Sequence, residues 1–199
     1  MRATKVTRVP SFIKDLLRWR RKRSIASFRG EADPVLSMRE GEIAIVTYSS
    51  AADKMKVFAA SIREGLENGD LVDYCHPDEE SETVRAKLEE HGIDVEKYER
   101  EGALFLRSLT DFYMPDDGNF DKERAMRKEL DDRANARRKG YKHFRSLEDV
   151  GDFSFMNGRW QKYLDYWDDP RWRSSGAGAG ILYEPFLMEL TAINVGGMS

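Results

Sequence analysis

Three short stretches of this chain hold residue types that could do chemistry. The first is the acidic run Leu147-Glu148-Asp149-Val150-Gly151-Asp152, directly after an apolar segment. Carboxylates at the end of a strand hold magnesium or activate water in nucleotide hydrolases. The second is Cys75-His76, a thiol beside an imidazole, as a soft metal site or an activated thiol would use. The third is Ser49-Ser50-Ala51-Ala52-Asp53-Lys54-Met55-Lys56, between a strand-like and a helix-like segment, where many α/β proteins hold a phosphate.

Each stretch lacks something its chemistry needs. A phosphate loop wraps the anion in backbone N–H groups, which requires glycines, and it ends in Lys-Ser or Lys-Thr; residues 49–56 have neither. Without that cradle the acidic run has no triphosphate to act on, and Asp149 and Asp152 read as solvated loop or helix-capping groups. Neighbours on a strand point to opposite faces, and two ligands do not complete a zinc site, so Cys75-His76 reads as a strand end. A catalytic Cys–His pair also needs a third, orienting group. His91 reads as a helix end and His143 as a strand position. No catalytic residue, metal ligand or cofactor is expected, and Cys75, as the one cysteine, excludes an internal disulfide.

The elements that would position these groups alternate between strand and helix. Glu42–Tyr48 reads as a first strand, and Met55, Phe58, Ala59, Ile62 and Leu66 then fall at helical spacing up to Gly69. Leu71–Cys75 gives a second strand, and an acid-capped helix with Val84 and Leu88 inward ends at His91-Gly92. Ala103–Leu109 is the third strand. A strong helix former follows from Asp121 to Lys139, and Lys142–Leu147 is the fourth strand. Trp160, Tyr163, Leu164 and Trp167 line one helix face and read as core. Ser174–Gly180 reads as a flexible loop before a last strand, Ile181–Leu190, at an antiparallel edge. The expected fold is a three-layer α/β sandwich with a mostly parallel sheet and helices on both faces.

Composition bounds the rest. With 199 residues, 40% hydrophobic, the chain suits one sizeable core. Residues 1–30 carry ten Lys/Arg against one acid, a balance of +9, and the remainder carries −12. This separates a basic helical arm with its linker, residues 1–39, from an acidic domain over 40–199. Within the arm, Phe12, Ile13, Leu16 and Leu17 lead into Arg18–Arg23. The apolar stripe is short and no helix-turn-helix fits in about 28 residues, so the arm is expected to dock on a protein surface, in its own oligomer or on a partner, in preference to nucleic acid. No run of about 18 apolar residues would span a membrane, and the basic N-terminus lacks the apolar core of a secretory signal, so a soluble, cytoplasmic protein is expected.

Five segments taken in order carry a family likeness. Residues 64–75 (EGLENGDLVDYC), 84–108, 112–125 (FYMPDDGNFDKERA), 140–155 (GYKHFRSLEDVGDFSF) and 159–167 (RWQKYLDYW) resemble the MEDS domain, the sensory domain of methanogen and methylotroph dichloromethane-type regulators. The resemblance covers about residues 40–195. It implies a RecA- or KaiC-type fold without a working phosphate loop, sensing small organic compounds for transcriptional regulators and histidine kinases. At the family's first-strand histidine this chain has Ile43, and of the aromatic pair that follows it keeps only Tyr48.

In a parallel α/β sheet the ligand crevice lies beyond the carboxyl ends of the strands. That rule gathers Tyr48, Cys75, Asp111, Tyr113, Glu148 and Asp149 as the expected ligand site, with the two tyrosines as walls and Glu148 or Asp149 orienting a polar or cationic end of the ligand. The leading function is a stand-alone sensory module that signals through protein contacts. The alternative is an enzyme acting on a nucleotide-like or phosphorylated substrate through the Leu147–Asp152 acids.

Overall fold

The computed structural model describes residues 27–29, 45–47, 51–77, 81–114, 118–149, 160–167 and 169–171. The arm helix, the 29–40 linker apart from Arg29, the glycine-rich loop and the final strand expected from the sequence lie outside these residues.

Two short strands, β1 (Ser27–Arg29) and β2 (Ile45–Thr47), pair in parallel with Phe28 opposite Val46. β2 is the centre of the expected first strand; β1 was not anticipated. Helix α1 (Ala51–Asn68) follows, with Val57, Phe58, Ile62 and Leu66 buried at helical spacing, and Gly69 ends it at φ 85°. Strand β3 (Leu71–His76) is buried along its whole length. It is the middle of a parallel sheet in the order β4-β3-β5, with β4 spanning Leu104–Ser108 and β5 spanning Phe144–Glu148.

Two connections cover the sheet. Between β3 and β4 run α2 (Ser81–Glu90) and α3 (Val95–Glu101); between β4 and β5 run α4 (Leu109–Tyr113) and α5 (Lys122–Lys139). The chain moves one way from β3 to β4 and back past β3 to β5. Crossovers of a single hand then place the two connections on opposite faces. Helix α6 (Trp160–Trp167) joins the second face.

The strand alternation fits this layering. Val72, Tyr74, Leu104 and Leu147 pack with Phe58, Ile62, Val84, Leu88 and Val95 in the core under α1, α2 and α3. Leu71 and Phe144 face the other way, against Ala136 of α5. Helix α1 lies directly on the sheet because residue 65 is glycine: a Cβ there would come within 2.8 Å of Val72 Cγ2. The result is a three-layer α/β sandwich around a parallel sheet, as the sequence pattern implies.

Two helices were not read from the sequence. Helix α3 is capped by Asp94, whose side chain accepts from Lys97 N, and closed by Gly102 at φ 71°. Helix α4 begins where strand was expected to continue, because the Ser108 hydroxyl accepts from Asp111 N and turns the chain. Among the described residues no helix is long and apolar enough to cross a membrane.

Candidate functional site

The carboxyl ends of β3 and β5 present different surfaces to the two helical layers. On the α1/α2 side there is a cavity of about 350 Å³, within the range of small-molecule pockets. Its apolar walls include Met55 of α1, Tyr74 of β3 and Val84 of α2. Its polar rim includes Lys54 and Lys56 at the start of α1, Lys87 and Glu90 of α2, and Asp149 just past β5. Asp149 accepts from Lys54 Nζ at 2.5 Å, a contact between residues 95 apart in sequence that ties the start of α1 to the end of β5. Its backbone N–H donates to the Cys75 carbonyl at 2.9 Å, which fixes where the carboxylate emerges.

Two histidines complete this wall. His76 is 2% exposed, and its Nδ1 lies 2.6 Å from the Pro77 carbonyl; His91 Nδ1 lies 2.8 Å from the Lys87 carbonyl. A carbonyl oxygen can only accept, so Nδ1 carries the proton in each ring.

On the opposite side the described side chains at the strand ends are buried. Glu148 is buried and accepts from the Tyr113 hydroxyl at 2.7 Å and from the Tyr163 hydroxyl. Tyr113 stacks on Phe120 with 5.3 Å between centroids, and Tyr163 and Tyr166 meet it edge-on. Burial, with the Glu148 charge second, holds the Tyr113 hydroxyl well above the ordinary tyrosine range. Cys75 points to this same side, and burial pushes its thiol up, so it is not an activated nucleophile.

Deeper on that side Asp73 of β3 is fully buried, and neither of its oxygens accepts a hydrogen bond. Arg107 of β4 lies 3.2 Å from it but reaches Asp132 of α5 more closely, at 2.7 Å. Burial outweighs the attraction of Arg107, and the Asp73 carboxyl is pushed up to about 8, with Glu129, Asp132 and Glu148 adding to the rise. Arg133 and Glu129, both on α5, form a further buried pair at 2.7 Å. Arg107, between Asp73 of β3 and Asp132 of α5, ties α5 to the sheet.

The six residues expected at the site divide accordingly. Tyr48 lies outside the described residues. Cys75, Tyr113 and Glu148 come together, Cys75 opposite Glu148 in the strand register and Tyr113 hydrogen-bonded to it, on the closed side. Asp149 lines the cavity. Asp111 is exposed in the first turn of α4. The carboxylates of Glu148 and Asp149 serve different layers because successive strand residues face opposite ways. The sequence reading missed Tyr74, Val84 and His91 as lining residues. Lys54 was weighed only as a phosphate-loop lysine and His76 only as half of a Cys–His pair. The available signal was parity: His76 shares a face with Tyr74 and Val72 and not with Cys75. Among the described residues no cluster of three or more His, Cys, Asp or Glu could hold a metal ion.

The described residues form a parallel α/β sandwich with a cleft past its strand ends, and the sequence has no glycine-rich stretch before α1. A KaiC-like protein from the hyperthermophilic archaeon Pyrococcus horikoshii superposes with a TM-score of 0.55 over 73% of this chain at 17% identity, a likeness of fold. The aligned region spans 64% of that protein's length. Residues 44–168 match the MEDS family, the methanogen/methylotroph DcmR sensory domain, and the chain belongs to that family. No curated protein matches it in sequence.

Proposed function

We propose that this sensory domain binds a small organic molecule in the cavity between α1, β3 and α2 and passes the change on through protein contacts, without catalysing a reaction. One observation carries the reading. The cavity joins apolar walls from Met55, Tyr74 and Val84 to a few convergent polar groups, past the strand ends of a parallel sheet. Lys54, which would meet a phosphate if α1 began with a phosphate loop, is instead engaged by Asp149. The carboxylate that could have served an enzyme, Glu148, is engaged by two tyrosines on the other side of the sheet. A ligand with a cationic end is not favoured by this lining, whose three lysines outnumber its two acids, Glu90 and Asp149.

Native mass spectrometry of protein purified from its own host tests the reading, because it reports a retained small molecule and the subunit number together. A retained ligand that disappears in Val84→Trp, where the new ring fills the cavity, is the expected result. Retention in that variant places the site elsewhere. Calorimetric titration with magnesium-ATP is expected to be flat; a micromolar response lost in Lys54→Ala favours the enzyme reading. Residues 1–30 are proposed to dock on protein, so their removal is expected to change oligomeric state more than the melting of the domain. DNA binding that persists at physiological salt overturns that assignment.

A further inference from the structure

The two cavity histidines carry information about the ligand's chemistry. Nδ1 of His76 is committed to the Pro77 carbonyl at 2.6 Å, and Nδ1 of His91 to the Lys87 carbonyl at 2.8 Å. In a neutral imidazole whose Nδ1 bears the proton, Nε2 is a lone-pair acceptor. Free imidazole can change tautomer to suit a ligand, but these rings are tied to backbone oxygens, so the acceptor is built in. His76 is the more telling of the two. It is 2% exposed, it lines the cavity, and its ring makes no other hydrogen bond among the described residues.

Resting on the cavity being the ligand site, we infer that it reads an uncharged hydroxyl on an apolar body, with the hydroxyl donating to His76 Nε2. Three chemistries could meet the lining. A carboxylate would set its lone pairs against that of Nε2. An ammonium group would satisfy Nε2 but would enter a wall in which Lys54, Lys56 and Lys87 outnumber the acids Glu90 and Asp149. A hydroxyl both donates and accepts, so it serves the imidazole acceptor and can also take a hydrogen bond from an ammonium group such as that of Lys54. Met55, Tyr74 and Val84 accommodate the hydrocarbon part. A site built to receive a donated proton rejects analogues that lack one, because its acceptor loses water and gains nothing.

The tautomer can be read on the unmodified full-length protein by two-bond 1H–15N correlation of the imidazole rings at neutral pH. His76 is expected to show a protonated Nδ1 and a pyridine-like Nε2; a proton on Nε2 overturns the inference. Four probes sharing one ring then test selectivity by chemical-shift titration at the cavity residues: benzyl alcohol, benzyl methyl ether, benzoate and benzylammonium. Benzyl alcohol is expected to bind about tenfold or more tightly than the other three. His76→Gln, which keeps an acceptor near the position of Nε2, is expected to retain most of that preference. His76→Phe is expected to abolish it while leaving the ether unchanged. If the ether or benzoate matches the alcohol, the hydroxyl inference fails and the cavity remains a ligand site. If none of the four shifts the cavity residues, the ligand-site reading fails with it. The wild-type measurements stand if either variant does not fold.

Discussion

Glu148 and Asp149 are neighbours in sequence, chemically alike and both 2% exposed, yet they belong to different regions of the molecule. Glu148 faces the layer of α4, α5 and α6, where two tyrosine hydroxyls and a cluster of aromatic rings enclose it. Asp149 faces the layer of α1 and α2, where its partner Lys54 stands at the wall of a cavity and keeps 14% of its side chain exposed. The first layer also buries Asp73, Glu129 and Arg133, with Arg107 half-buried beside Asp73; the second has an apolar core and buries Asp70 beside Arg145, away from the carboxyl ends of the strands. The titratable groups with the largest shifts, Asp73 and Tyr113 among them, therefore sit buried on the side away from the cavity. The side with room for a ligand is marked by unremarkable residue types. A buried charge is a statement about packing until a concavity adjoins it.

The largest test of this contrast compares the two carboxylates. Glu148→Ala strands two buried hydroxyls and is expected to cost about 3–5 kcal/mol in urea unfolding. Asp149→Ala leaves a lysine that can turn into the cavity, and is expected to cost about 1–2 kcal/mol. Equal losses break the distinction between a dry side and an open one.

Gly65 probes the floor of the open layer, where α1 meets β3. Gly65→Ala puts a methyl group 2.8 Å from Val72 Cγ2 and from Arg145 Nε and is expected to cost about 1–3 kcal/mol by overpacking. A neutral result means that α1 can lift from the sheet, and the cavity at its amino end is then less well defined than the closed layer.

The closed layer has a pH signature. The unfolded chain releases the Asp73 proton near 3.8, whereas the native state holds it to about 8. The native state thus binds more protons across that window, and this contribution to stability is complete below about pH 4 and lost as pH rises through about 8. The slope is at most about 1.4 kcal/mol per pH unit. Melting temperature is expected to fall from pH 5 to pH 8 in the wild type, and Asp73→Asn should remove this part of the fall. An unchanged slope in the variant sends the search for the titrating group elsewhere.

The smallest expected effect is on the outer side of the open layer. Arg85 of α2 makes a bidentate contact with Glu99 of α3 at 3.0 and 2.9 Å, but its side chain is 33% exposed and water screens the pair. Arg85→Ala is expected to cost about 0.5 kcal/mol, with ligand retention unaffected. A large loss would mean that the α2–α3 clasp supports the cavity wall directly.

Much of the fold could be read from local pattern. The periodicity of Phe58, Ile62 and Leu66, the glycine stops at Gly69, Gly92 and Gly140, the acidic cap Asp121 and the apolar strands around Val72, Leu104 and Leu147 are each set by residues within one element. A parallel sheet between two helical layers follows from the β-α order and the preferred hand of crossovers. The short helices α3 and α4 were missed because seven- and five-residue segments depend on their caps, Asp94 and Ser108, more than on any apolar stripe. The likeness in segment order also identified the family, which the match over residues 44–168 establishes.

The site was legible only in outline. The sequence placed the chemistry at the strand ends, and it dictated, through the two-residue period of a strand, that Cys75 and His76 part company and that Glu148 and Asp149 do too. It could not say which side stays open, because that depends on how far each helix reaches over its end of the sheet. The tertiary structure decided it. Residues 35 and 15 positions away bring Tyr113 and Tyr163 onto Glu148 and close one side, while α1 and α2 leave room in front of His76 on the other. The backbone oxygens of Pro77 and Lys87 then fix which nitrogen of each imidazole carries the proton, a choice that residue type alone leaves open.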